Sequence, residues 1–291
     1  MGGSKVSLGR RRGELIAFQG ERGAFSEEAA RKLLGVEIAV LPCTRFEDVF
    51  RSLKEGRSTG AVVPIENTLA GSVHENYDHL QNFDLPIVAE TSVRIVHNLI
   101  AENGVKFSAI KRVFSHPVAL NQCLNFFAEN PQIERISFYD TAGSVKMIAE
   151  EGLADAAAIA SAVAADIYGA RILRKSIEDD RQNFTRFFLL RRPGFAGKRA
   201  AGEDAAQWKT SLVFTLRNVP GALFRALAAF ALRDLNLTKI ESRPLRGKPF
   251  EYLFYLDFLG RTDSPNARNA LNHLREVADF LRVLGCYPKG A

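Results

Sequence analysis

Cysteine is scarce in this chain of 291 residues: Cys43, Cys123 and Cys286 are the only three. They are odd in number, far apart and without metal-ligand spacing. That argues against a disulfide framework or a thiolate metal site, and for reduced thiols in a cytoplasmic protein. Long apolar runs are also lacking, and no stretch approaches the roughly 20 residues of a membrane span. No membrane partner is expected. The basic head, Lys5 with Arg10, Arg11 and Arg12, is not followed by a hydrophobic segment, so it reads as a solvated tail rather than a secretory signal. Gly20 and Gly23 do not complete a G-x-G-x-x-G fingerprint, and a dinucleotide site is rejected. The net charge is +6, but beyond the head the basic residues alternate with acids instead of forming a stripe. A small anionic ligand suits that charge; a nucleic acid is not expected.

What is present is a repeated alternation of short apolar runs, polar turns and helix-like segments. Leu15–Gln19 leads through a glycine turn to a helix ending at Leu34, with Ser26 placed as its N-cap. Runs at 38–42 and 61–65 follow, the second ending in Glu66, Asn67 and Thr68. The stretch 87–100 is long and mostly apolar, suited to crossing between lobes. Further runs end at Ser115, at Asp140-Thr141 and at Ser161, and one helix is expected over 119–129. The last run, 186–190, follows the donor-rich segment Asp180–Phe187. This is the pattern of a parallel α/β architecture, in which ligands bind at the carboxyl ends of strands. Ser26, Glu66, Asn67, Ser115, Gln122, Thr141 and Thr185 are therefore expected to converge on one cleft. Each also has a bland role available. Ser and Thr hydroxyls often satisfy nearby backbone groups, Glu66 and Arg186 suit a structural ion pair, and Asp140 suits a helix cap.

Residues 194–207 have linker composition, small and polar with glycine. Beyond them the order strand, helix, strand, strand, helix, strand in about eighty residues specifies a ferredoxin-like unit. The expected division is a two-lobed domain over 14–193, the linker 194–207, and the small unit over 208–291.

Together these clusters resemble a known family. The stretches GERGAFS (20–26), PIENT (64–68) with GSV (71–73), SHP (115–117) with Gln122-Cys123, DTA (140–142), AIAS (158–161) and NFTRF (183–187) are similar to those of prephenate dehydratases and the related arogenate dehydratases. PGAL (220–223) and ESRP (241–244) resemble those of a C-terminal ACT regulatory domain. The likeness runs over roughly 14–287, with two departures: Ala24 where many members have Thr, and Val118 where many have Gln.

The resemblance implies two α/β lobes like those of type II periplasmic binding proteins, a cleft between them, and an ACT unit behind. It implies loss of the ring carboxylate as CO2 and of the ring hydroxyl as water, turning prephenate into phenylpyruvate on the route to phenylalanine. Aromatisation drives that reaction, so no metal or cofactor is expected. Thr185 is implied as the essential donor to the departing hydroxyl, and Glu66 as an alternative proton source. Ser26, Asn67, Ser115, Gln122, Thr141 and Arg186 would bind substrate. Phenylalanine would bind the ACT unit at Asn218, Gly221, Ala222, Leu223, Glu241, Ser242 and Arg243, in a homodimer or homotetramer. Arogenate is the rival substrate. A cytoplasmic amino-acid sensor without chemistry is the rival from another class.

Overall fold

The computed structural model describes residues 13–194, 207–245 and 247–290. The basic head and most of the expected linker lie outside the described residues. The chain divides into two compact units. The first comprises residues up to His79 with Thr91–Leu189; the second comprises Leu80–Glu90 with the residues from Leu190 on.

The first unit carries two lobes. In one, β1 (Leu15–Gln19), β2 (Ala39–Cys43), β3 (Gly60–Asn67) and β11 (Phe184–Leu190) lie in the order β11-β3-β1-β2, with the short β4 (Gly71–Ser72) folded back on β3. Here α1 (Phe25–Leu34) and α2 (Phe46–Lys54) follow β1 and β2. The other lobe is a sheet ordered β10-β6-β9-β7-β8. Its strands are β6 (Asn98–Ala101), β7 (Arg112–Ser115), β8 (Glu134–Ser137), β9 (Ala156–Ala160) and β10 (Arg171–Arg174). The apolar stretch expected to cross between lobes is two strands: β5 (Ile87–Arg94), which ends beside the first lobe's residues, and β6 in the second sheet.

Strand β9 shows why this lobe is sandwiched. All five residues, Ala-Ala-Ala-Ile-Ala, are buried, and alternate residues serve opposite faces. Ala157 and Ile159 pack with Leu99, Val113 and Phe126. Ala156, Ala158 and Ala160 pack with Val145, Ile148 and, from the other lobe, Phe18. Small side chains bring backbone close at this seam. A Cβ on Gly23, which sits at φ +87°, would come within 2.6 Å of Ala164 Cα, so only glycine fits where α1 meets the second lobe.

The helix expected over 119–129 is two, α4 (Pro117–Asn121) and α5 (Leu124–Glu129). The cause is remote in sequence. The Asp179 carboxylate accepts from Leu124 N at 2.7 Å and Asn125 N at 2.9 Å, capping α5 from outside, while Asp179 N donates to Gln122 O at 2.8 Å. The break turns Gln122 out of the helical repeat.

The second unit follows the expected order: β12 (Trp208–Thr215), α8 (Ala222–Ala231), β13 (Leu237–Pro244), β14 (Tyr252–Leu259), α9 (Pro265–Val277) and β15 (Phe280–Pro288). Its antiparallel strands lie in the order β13-β14-β12-β15. One face of the sheet, with Leu212, Phe214, Leu256 and Phe258, packs under α8 and α9 through Phe230, Leu271 and Leu274. The alternate residues of β12 and β14, on the other face, include buried polar groups beside Val213 and Leu253. Lys209 Nζ lies 2.6 Å from Glu90 Oε1, with side chains 8% and 4% exposed. Ser211 Oγ is 2.6 Å from both Asp257 Oδ1 and the Tyr287 hydroxyl.

Candidate functional site

The site begins where β3 runs out. Asn67, its last residue, accepts hydrogen bonds at Oδ1 from Leu69 N at 3.0 Å and Ala70 N at 2.8 Å, an asparagine closing its own turn. That fixes which end of the amide is nitrogen. Asn67 Nδ2 donates to Asn183 Oδ1 at 2.6 Å and to Thr185 Oγ1 at 3.0 Å. Thr68 holds the facing loop: its N donates to Phe184 O at 2.9 Å, and its hydroxyl accepts from Phe184 N at 2.9 Å and donates to Gln182 O at 2.8 Å. Asn183, fully buried, passes the chain on by donating from Nδ2 to Gln122 Oε1 at 2.9 Å. The same oxygen lies 2.9 Å from His97 Nε2. Gln122 belongs to the second lobe, so side-chain amides bridge the two lobes within this unit. The buried Thr185 hydroxyl uses its oxygen as acceptor for Asn67, which leaves its proton for another group. A cavity of about 320 Å³ adjoins the Gln122 end, lined by Leu69, Ala70, Val118, Gln122, Asp179 and Asp180 among others.

Thus Asn67, Gln122 and Thr185 are joined by hydrogen bonds. Next to Thr185, Arg186 Nε lies 2.9 Å from Glu66 Oε1, and its guanidinium lies over the Phe188 ring at 5.0 Å. The pair binds the two expected charges to each other. Glu66 is 32% exposed at its side chain and ion-paired.

Three expected residues, Ser115, Ser26 and Thr141, lie outside this network. Ser115 is fully buried, and its hydroxyl donates to Ile159 O at 2.6 Å on the neighbouring strand. The cap of α4 is His116, whose Nδ1 accepts from Val118 N at 3.2 Å. Ser26 is not the N-cap of α1. Ala24 holds that position, and the buried Glu27 reaches back to accept from Gly23 N at 2.8 Å, doing with a carboxylate what a serine cap would do. Thr141 is the first residue of α6 (Thr141–Glu150), beside its cap Asp140, which accepts from Gly143 N at 2.9 Å and Glu21 N at 3.0 Å. Burial pushes the Asp140 carboxyl pKa up against the pull of those amides. Tyr139, 3.3 Å from Glu21 Oε1, is pushed up to about 12, chiefly by burial and then by the Glu21 and Asp140 charges. Asn183 stands inside the NFTRF motif, and nothing in the sequence marks its task or that of His97. A single histidine in an apolar stretch carries no local signal of its partner.

In the second unit Gly221 precedes α8 at φ +75° and Glu241, Ser242 and Arg243 lie on β13, the edge strand of the sheet. Among the described residues no group of three His, Cys, Asp or Glu side chains could hold a metal ion, and no helix is long and apolar enough to cross a membrane.

Comparison with known proteins bears on all of this. The family model described as prephenate dehydratase matches residues 16–194, and that of the ACT domain matches 210–276. The arogenate dehydratase/prephenate dehydratase 2 of Arabidopsis thaliana is 47% identical, over 94% of this chain and 72% of its own length. A solved prephenate dehydratase of Arthrobacter aurescens in complex with L-Phe superposes with a TM-score of 0.85 at 33% identity, covering 94% of this chain and 89% of that one. A structure described as GqqA, a quorum quenching acylase, also gives a TM-score of 0.85, at 34% identity, covering 95% and 98%. The expected cytoplasmic location is corrected by these relatives, since Arabidopsis proteins at 47% and 44% identity are named chloroplastic. Free thiols indicate reducing surroundings and do not choose among the compartments that provide them. With the family model spanning both lobes of the first unit and a relative 47% identical over nearly the whole sequence, the chain belongs to the prephenate dehydratase family and carries an ACT domain.

Proposed function

We propose that the chain converts prephenate to phenylpyruvate, with Thr185 as hydrogen-bond donor to the departing hydroxyl. The observation behind this is the bond from Asn67 Nδ2 to Thr185 Oγ1 at 3.0 Å, which leaves the threonine proton for the substrate. In the reaction the bond from ring to carboxylate breaks and its electron pair enters the ring. The carbon–oxygen bond of the ring hydroxyl breaks in turn. One proton is taken up, and CO2 and water leave. A threonine is a weak acid, so its part is to stabilise charge developing on the leaving oxygen, with the nearby Glu66–Arg186 pair setting the local field. Asn67 and Gln122 orient the substrate. Ser26, Ser115 and Thr141 shape the surrounding strand and helix ends.

Nucleophilic acyl transfer, the chemistry named for one structural relative, needs a base beside the hydroxyl. The group bonded to Thr185 is a neutral amide donor, which does not suit that role.

Arogenate is the second reading. It is favoured by the cavity wall, where Asp180 would pair with the ammonium that arogenate has and prephenate lacks. Turnover of purified protein on both substrates side by side decides between them. Faster formation of phenylpyruvate, unaffected by Asp180→Ala, supports prephenate. Preference for arogenate, lost in Asp180→Ala, supports the second reading. No product from either supports a sensor.

The proposal extends to regulation and organisation. L-Phenylalanine binds the ACT unit near Gly221 and β13 and lowers activity by favouring one arrangement of a homo-oligomer. Support comes from the exposed edge of β13 and from the apolar Phe224 of α8 and Leu232 just after it, 76% and 75% exposed. Light scattering with and without phenylalanine, run beside the assay, checks it: a monomer indifferent to phenylalanine refutes it. The catalytic and regulatory domains are proposed to span 14–193 and 208–291, with 194–207 between them.

A further inference from the structure

We propose that His97 is a positioning residue for this reaction: as its neutral, Nε2-protonated tautomer it fixes the Gln122 amide and, through Asn183 and Asn67, the surroundings of the Thr185 hydroxyl. The inference rests on the reading of Thr185 given above.

The directions of the hydrogen bonds follow one another from an unambiguous end. Leu69 and Ala70 N–H groups can only donate, so the Asn67 atom facing them is Oδ1. Asn67 Nδ2 is then the donor to Asn183, whose facing atom is Oδ1. Asn183 has only Nδ2 left for Gln122, which must present Oε1. His97 Nε2, 2.9 Å from that oxygen, must therefore carry a proton. Each step has one solution, so Asn67 donates to both Asn183 and Thr185 while Gln122 Oε1 accepts from both Asn183 and His97, and the four side chains form one network whose orientations fix one another.

The setting of the imidazole supports the same tautomer. His97 is 2% exposed, with the Phe25 ring edge-on at 5.8 Å. Its Nδ1 is buried and has no hydrogen-bond partner among the described residues, so a proton there would be desolvated without compensation. Burial lowers the pKa of the ring against the opposing pull of Gln122 and Glu178, which favours the neutral form. The backbone is fixed too: His97 N donates to Glu178 Oε2 at 3.0 Å, and Glu178 Oε1 takes Arg94 at 3.1 Å. Without the imidazole donor Gln122 is free to turn its amide over. That would set Nε2 against Asn183 Nδ2, two donors face to face, and loosen the loop carrying Thr185.

The test uses the full chain. His97→Leu keeps bulk and removes the donor; His97→Gln restores an N–H near the Nε2 position. His97→Leu is expected to lower kcat about 10- to 100-fold, the scale of a misplaced catalytic group, with KM little changed. His97→Gln should recover most of the loss. Adding His97→Leu to Gln122→Leu should cost nothing further, because both break the same link. Wild-type kcat in His97→Leu, no rescue by glutamine, or losses that multiply would overturn the proposal. Long-range proton–nitrogen correlation on histidine-labelled protein reads the tautomer independently of turnover. A protonated Nε2 with a bare Nδ1 at neutral pH supports the assignment, and an Nδ1–H tautomer or an imidazolium refutes it. A wild-type chain inactive on both substrates sinks the functional reading instead, and the tautomer spectrum tells the two failures apart.

Discussion

The buried polar networks around Thr185 and on the second unit's sheet are built from different groups. Around Thr185 the buried hydrogen-bond partners are the amides of Asn67, Asn183 and Gln122 and the His97 imidazole: Asn67 donates to both Thr185 and Asn183, and Gln122 Oε1 accepts from both Asn183 and His97. On the polar face of the ACT sheet they include full charges, the Lys209–Glu90 pair and Asp257 beside Ser211. The difference follows from what each must hold. A substrate that brings two negative charges to the first unit needs donors whose directions are set in advance. In the second unit no anionic substrate is expected against these groups, and an oppositely charged pair limits how the buried segments can register.

Thr185→Ala should show the largest effect, a fall in kcat of about 10²–10³-fold, the usual cost of removing one hydrogen-bond donor to a developing charge. Thermal melting should be nearly unchanged; a variant within threefold of wild type would remove Thr185 from the chemistry. The second unit should respond in stability instead. Lys209→Met removes the buried cation that lies 2.6 Å from Glu90 and should cost about 3–5 kcal/mol, whereas Lys209→Met with Glu90→Leu should recover most of that. Denaturant unfolding measures both. A double variant no better than the single would mean that packing, not charge, dominates there. The smallest effect is a slope. His97 has a folded-state pKa below its ordinary 6.5, so below that pH the unfolded chain takes up a proton that the native chain resists. Stability should therefore fall as pH drops from about 7 toward the lowered pKa, and His97→Gln should flatten that limb. Equal slopes in both proteins would show that His97 is not buried in its neutral form.

Much of this was legible in the residues. Polar clusters at strand ends named Asn67, Gln122 and Thr185 before any contact was known, because strand ends that feed helices are where an α/β sheet exposes donors. The C-terminal unit was readable from its order of elements, since each of its strands and helices has a clear apolar period. The misreadings have one cause. Ser26 looked like a cap because serine caps helices, but Glu27 took that task from inside the helix. Residues 119–129 looked like one helix because nothing local breaks them; Asp179 does so from more than fifty residues away.

By itself, the sequence determined the order of elements, the family and the residue types available at the cleft, because these depend on local propensity, periodicity and short motifs. Only the tertiary structure decided the direction of each hydrogen bond and the partner of each charge. It joined Arg186 to Glu66, turned Ser115 to Ile159, and placed His97 behind Gln122. An amide or imidazole can face either way in an isolated chain. The partners that choose among those orientations meet only when distant segments pack together.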